Sequence, residues 1–523
     1  MNQQEYDSEL DYDDEYDNEE GEEEDYPNWK EEGGGEENYF SRVLKLEKDK
    51  SRLLTLAAVL FVVILVSGSY YQVVLKNEDE ATIVIIDFDY ERAYADAEYL
   101  VDAGPRLAGT PEELRGSEYV VEQWKEAGLS NTHVENFTVE LYEVNSASLG
   151  LDAFTTEKGY SRRNYQHRFE FTVLGYSGST SGSDNYDVAY VGNGTDEAYA
   201  QAGDVSGMAV LVETDSTLSY TQLYKQAMNH SAAANVIYGD RFYPISRTSV
   251  VWDEDGEGLV PITSEYDHNQ LIPHLMVSRT VGNDVKSWWE NATGVGEYCS
   301  LDMNIDVTIE DRTTTVAVGE VLGSEKPEEL IIMGAHLDTV YCGEGGADNT
   351  AGVAGIMETA RQIAQYQPKR TIRFLTFGAE EAGLFGSKEY VLAHAQEIED
   401  HCVFMTNFDM TDLNITEDGK HNSLPINTNS EKRRREIEKV GNKFFDQNPN
   451  LAEKYTFRVG TMENYPYSDF YHFALHGADF AACWGTNCPG YHTPNDRLSN
   501  TNPESWQVAG GIMGSHALYL ANK

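Results

Sequence analysis

The chain has 523 residues, enough for more than one domain, and a formal net charge of -51. So acidic a molecule is excluded as a nucleic-acid binder, because phosphate backbones are held by clustered Lys and Arg. Five cysteines in this length also exclude a disulfide-stapled scaffold.

The first forty residues are dominated by Asp, Glu, Tyr and Gly, as in EYDSELDYDDEYDNEEGEEED. Such a run cannot bury a core, and residues 1–52 are expected to form a disordered acidic tail. LLTLAAVLFVVILVSGSYYQVVL (53–75) follows, 23 residues without a charge. At ~1.5 Å per residue it reaches roughly 34 Å, enough for a transmembrane helix. Arg42, Lys45, Lys48, Lys50 and Arg52 precede it. The positive-inside rule then predicts a single-pass membrane protein, with a cytoplasmic N terminus and an extracellular or lumenal remainder. Sequons at Asn136, Asn193, Asn229, Asn291 and Asn414 agree with that placement, and Cys483 and Cys488 are close enough in sequence for a bridge there.

FDYERAYADAEYLVDAGPRLAGT (88–110) begins as an amphipathic helix and ends in a Gly/Pro loop. PEELRGSEYVVEQWKEAGL (111–129) reads as a second helix with Pro111 in its first turn, and HVENFTVELY alternates like a strand. Residues 76–167 are taken as the first part of the main domain. From 168 to 305 the character changes. DVAYVGNG, GMAVLVET, ANVIYGD and PHLMVS are short β-like runs, joined by turns and one helical piece, YTQLYKQAMNHSAAA. This stretch reads as an inserted β-rich domain. After 312 strands and helices alternate. TTTVAVGEVLG, ELIIMGAHLD, TIRFLTFGAEE, CVFMTNFDM and ADFAACW are strands. NTAGVAGIMETARQIAQYQ, GSKEYVLAHAQEI, SEKRRREIEKVGNKFFDQN and PESWQVAGGIMGSHALYLAN are helices. The alternation predicts an α/β fold, a mixed and mostly parallel sheet covered by helices, with 306–523 completing the main domain.

In such sheets, sites form beyond the carboxyl ends of the strands. Here four strand ends carry polar residues: His336 and Asp338, then Glu380 and Glu381, then Asp409, then His492 and Asp496. Buried carboxylates are costly without a metal or a cation. Histidine and carboxylate ligands without thiolate suit zinc or another divalent ion in a hydrolytic site. The set exceeds the usual three protein ligands of one catalytic zinc, so two ions are expected, with Asp348 in the glycine-rich loop placed to bridge them. Of the adjacent Glu380 and Glu381, one can bind metal while the other faces the attacking water as general base.

GAHLDTV, GGADNTAG, FGAEEAGLFGS, NFDM and YHTPND fall in that order, and AGPRLAGTPEELRGSEYV precedes them. Together they resemble the co-catalytic di-zinc aminopeptidase family, especially its aminopeptidase Y-like members. The insert resembles a protease-associated domain through DVAYVGNGTDE, DVSGMAVLVE and PHLMVS. The resemblance implies a zinc exopeptidase acting on peptides, with two zinc ions. His336 and Asp409 would hold one ion, Glu381 and His492 the other, and Asp348 would bridge. Glu380 would be the general base, Asp338 would orient His336, and Tyr491 would help bind the oxyanion. Two positions depart from the family pattern, the residues after the aspartate in GADNTAG and Arg497 after HTPND. Neither removes a ligand, and Cys342 matches no ligand position. The leading expectation is an aminopeptidase. A carboxypeptidase or dipeptidase is the nearest alternative and would need a cation near the metals, with Arg497 the adjacent candidate. A silent receptor-like homologue would have lost ligands that are all present here. A single-zinc glutaminyl cyclase-like transferase is disfavoured by the insert.

Overall fold

A computed structural model describes residues 82–414, 422–485, 488 and 490–523. The tail 1–52 and the apolar run 53–75 lie outside these residues. Among the described residues no helix is long and apolar enough to cross a membrane. The most apolar helix, Trp506–Ala521, has 16 residues, about 24 Å against the ~30 Å of a hydrocarbon core. It is buried along its length within the fold. The single-pass topology expected from the sequence is therefore corrected. The extracellular or lumenal placement and the membrane as a partner rested on that topology and are not carried further.

Helices Tyr90–Asp102 and Pro111–Glu126 open the described chain. The Thr110 side chain caps the second by accepting from Glu113 N, with Pro111 in its first turn. Then β1 (Ser130–Thr155) runs for 26 residues and β2 (Gly159–Tyr165) folds back on its far end. β3 (Phe171–Val173), β4 (Asp184–Tyr190), β5 (Ala209–Glu213), β6 (Ala234–Tyr238), β7 (Val250–Trp252), β8 (Leu259–Pro261) and β9 (His274–Val277) follow. β10 (Tyr298–Val321) returns beside β1, paired antiparallel from Ser130↔Glu320 to Phe154↔Tyr298. The smaller sheet has the order β10-β4-β5-β6-β9-β3, with β4, β5, β6 and β9 mutually parallel.

The boundaries of this region differ from the sequence expectation. One apolar core joins Leu149, Leu151 and Ala153 of β1 to Val173, Leu211, Val236 and Leu275. The packed region thus draws on residues well before 168, because β1 and β10 pass through both regions unbroken. A register shift between Val144 and Ser146 marks the crossing. Bulges of this kind bend and twist a strand pair.

β11 (Lys326–His336), β12 (Arg370–Phe377), β13 (Cys402–Asp409), β14 (Ser423–Thr428), β15 (Thr456–Thr461) and β16 (Asp479–Trp484) build the main sheet, in the order β15-β14-β16-β13-β11-β12-β10. β12, β11, β13 and β16 are parallel neighbours. They are apolar on both faces, as strands covered by helices must be. Leu330 and Ile332 of β11 face a cluster with Tyr390, Phe470 and Phe473. On the opposite side, helices Ala351–Ile363 and Trp506–Ala521 pack against β11 and each other. The four parallel strands therefore end together at one edge.

The loop after β12 is held tightly. An added Cβ at Gly386 would lie 1.9 Å from the Gly378 carbonyl oxygen, a backbone atom that cannot step aside alone. Gly386→Ala should cost about 1–3 kcal/mol through overpacking. In Gly355→Ala the new methyl meets Phe408 at an ordinary 3.4 Å within a helix. That change should stabilise by up to ~1 kcal/mol through helix propensity. Urea denaturation of the two variants checks the opposite signs.

Candidate metal centre

Each parallel strand delivers one part of the centre. β11 ends at His336, and β13 ends at Asp409. β12 ends at Phe377, three residues before Glu380. β16 ends at Trp484, and the chain returns to the same edge at His492. Ala379, Met410 and His492 all take left-handed backbone at these turns, with φ of 57°, 50° and 55°. For non-glycine residues that conformation costs roughly 1–2 kcal/mol each, a strain that clusters at functional sites. Gly345, with φ 63°, precedes the Asp348 turn, and a Cβ there would sit 2.4 Å from the Asp348 carbonyl oxygen. The Asp348–Asn349 peptide is cis.

The side chains converge in two groups that share one carboxylate. His336, Asp348 and Asp409 form the first, and Asp348, Glu381 and His492 the second. His336 Nε2 lies 3.1 Å from Asp348 Oδ1 and 3.5 Å from Asp409 Oδ1. His492 Nε2 lies 3.1 Å from Asp348 Oδ2 and 3.0 Å from Glu381 Oε2. Glu380 stands with His336 and Glu381 in a further grouping.

The histidine tautomers follow from their other nitrogens. His336 Nδ1 donates to the Asp338 carbonyl oxygen at 3.1 Å, and His492 Nδ1 donates to the Ser246 carbonyl oxygen at 2.7 Å. In a neutral ring the proton is then on Nδ1, and Nε2 presents a lone pair to carboxylate lone pairs. Only a proton or a metal ion between them makes that arrangement favourable. Burial opposes a charged His492, yet Glu381 and Asp348 outweigh it and raise its pKa to about 9. His336 is likewise raised well above its usual range, against its own burial, by Glu380 and its carboxylate partners. Asp348 is held low despite burial, because it faces both imidazoles. Glu381 Oε1 is buried without a hydrogen-bond partner. A cavity that draws in positive charge and leaves a carboxylate oxygen unspent fits divalent ions.

Glu380 differs from its neighbour. Burial first, then Asp409 and Glu381, push its carboxyl well above the ordinary range against the pull of His336. Asp338 is fully buried, and its carboxylate does not reach His336 within hydrogen-bond length, the separation being 3.7 Å. It accepts instead from Glu380 N at 3.0 Å and Glu381 N at 3.1 Å. The histidine is bonded by the Asp338 backbone, and the carboxylate beside it also holds the loop of the glutamate pair.

Residues 317–516 match the family profile described as Peptidase family M28. Over these residues the chain is similar to the M28 peptidases. The aminopeptidase YwaD of Bacillus subtilis is 24% identical over 453 residues, covering 84% of this chain and 86% of that protein. The glutamate carboxypeptidase 2 homolog of Caenorhabditis elegans is 26% identical, over 60% of this chain and 50% of its own length. Among solved structures, the zinc aminopeptidase BSAP of Bacillus subtilis superposes with a TM-score of 0.64 at 20% identity, covering 84% of this chain and 96% of that one.

Further residues support the centre, and of these Arg106 and Asp469 were not singled out from the sequence. Arg106 is wholly buried, bonding Leu337 O at 2.9 Å and Thr350 Oγ1 at 2.7 Å, and so ties the two ends of the loop that carries Asp348. Asp496 accepts from Ala347 N at 2.8 Å and Asp348 N at 3.1 Å. Asp469 is buried, and burial raises its carboxyl to about 7 against the pull of His336. Its signal was an acid set in the aromatic run YPYSDF. Arg497 spends its Nε on the Pro494 carbonyl oxygen. Arg247 donates to the Oη of Tyr491, the predicted oxyanion residue, at 3.3 Å, while the Tyr491 ring stacks on His492. All five cysteines are free, Cys483 and Cys488 included. Cys342 Sγ donates to the His492 carbonyl oxygen.

Proposed function

We propose that this chain is a di-zinc exopeptidase that releases N-terminal residues from peptides. The observation that carries the reading is Asp348, which offers one oxygen to each of two ligand groups. In this reading His336 and Asp409 hold one zinc, Glu381 and His492 the other, and Asp348 joins them. Two bound zinc ions would supply Lewis-acid charge to the scissile carbonyl and to the attacking water. Glu380 takes a proton from that water as its oxygen bonds the carbonyl carbon. It returns the proton to the amine nitrogen as the C–N bond breaks. Its raised carboxyl suits both halves of that transfer. Asp338 keeps the two glutamates in register, and Tyr491 faces the carbonyl oxygen as it gains charge. The region first assigned to 168–305 is read as a protease-associated domain that narrows access to the centre.

The aminopeptidase reading is supported by YwaD, which matches over most of both chains. Arg247 favours a second reading, a carboxypeptidase, because a guanidinium beside Tyr491 could take a substrate carboxylate. The test is a panel of amino-acid amides and free dipeptides set against N-blocked dipeptides. Release from free amino termini, with N-blocked substrates inert, is the expected result. Cleavage of N-blocked dipeptides, with KM raised at least tenfold in Arg247→Gln, would establish the carboxypeptidase instead.

A further inference from the structure

The two ligand groups are built differently, and the difference lies in the insert. His336 is oriented by the Asp338 carbonyl oxygen, two residues along its own loop. His492 is oriented from across the chain. Its Nδ1 donates to the Ser246 carbonyl oxygen at 2.7 Å, and Ser246 N donates back to the His492 carbonyl oxygen at 3.0 Å. Two residues on, half-buried Thr248 donates its Oγ1 hydrogen to the Glu381 carbonyl oxygen at 2.6 Å. The Glu381 peptide is thus held at both ends, with N on Asp338 and O on Thr248. The bonds of Ser246 and Thr248 to this centre fall on His492 and Glu381, the two ligands of the second group.

We propose that Ser246 and Thr248 of the insert are positioning residues for the Glu381–His492 zinc. The insert then sets how firmly one ion of the pair is retained, while His336 and Asp409 stand at the ends of the main-sheet strands β11 and β13. This rests on the di-zinc reading above. Groups that orient metal ligands typically change metal affinity about 10–100-fold when removed.

Thr248→Val keeps the shape of the side chain and deletes its donor, while Thr248→Ser keeps the donor. The full chain, loaded with zinc, is titrated with a competing chelator and the retained zinc is counted by elemental analysis. Thr248→Val should release one of two ions at about 10–100-fold lower chelator strength than the parent, with the other ion unmoved. Thr248→Ser should follow the parent. In a His492→Ala background, which has already lost the Glu381–His492 ion, adding Thr248→Val should shift nothing further. Loss of both ions together in Thr248→Val, as general destabilisation would cause, overturns the proposal. So does a titration indistinguishable from the parent. A parent chain that never holds more than one zinc overturns the di-zinc reading itself, and this inference with it.

Discussion

Glu380→Gln should lower kcat by about 10²–10⁴-fold while both zinc ions stay bound. The amide keeps the length and shape of the side chain but cannot accept a proton from water. Asp338 grips the backbone nitrogens of residues 380 and 381, not their side chains, so the loop keeps its place in the variant. Glu381→Gln should fail differently. Its Oε2 stands 3.0 Å from His492 Nε2 in the second ligand group, and a neutral amide is a poor substitute for a carboxylate on a divalent ion. One zinc should weaken, and activity should recover partly at high zinc. Steady-state kinetics with zinc analysis on both variants separates the roles. Zinc loss in Glu380→Gln with both ions kept in Glu381→Gln would reverse the assignment. Near-normal turnover in both would remove the pair from the chemistry.

Stripping the metal should abolish peptidase activity and leave the domain folded. The parent should hold close to two zinc equivalents by elemental analysis. After chelation the far-UV circular dichroism should be unchanged, because the sheet is sealed by apolar side chains on both faces and does not depend on an ion as a small zinc finger does. Adding zinc back should restore turnover. Full activity with at most one bound ion would refute the two-metal site. Unfolding on chelation would show that the ions hold the fold.

Much of this was legible because the chemistry sits where strands stop. Runs such as LIIM and RFLTF have the apolar continuity of buried parallel strands, and the polar residues after them stand out against it. Those residues meet at one edge because β12, β11, β13 and β16 are parallel. What was not legible depends on contacts between distant segments. Nothing in ISRTS announces that a backbone carbonyl there will steady His492, since a backbone carbonyl has no residue signature. Arg106 reads as one more charged residue in a loop, and only the fold reveals it as a buried tie between Leu337 and Thr350. Asp338 was expected to orient the histidine. Its carboxylate lies 3.7 Å from His336 Nδ1 and also accepts from two backbone nitrogens, a second task with no signature in the sequence. The apolar run 53–75 was read by length and hydropathy alone, and no described helix repeats its pattern.

The β1–β10 ribbon has a consequence for anyone wishing to make a smaller enzyme. An inserted domain is usually trimmed at a pair of flexible linkers. Here the two crossings are neighbouring strands, Val144 opposite Val307, hydrogen-bonded to each other. Asn145 at the bulge is tied to Thr308 Oγ1 at 2.8 Å. Any cut there must be closed by a designed hairpin turn that preserves the register of the remaining half, or the slip of one residue would turn every inward side chain outward.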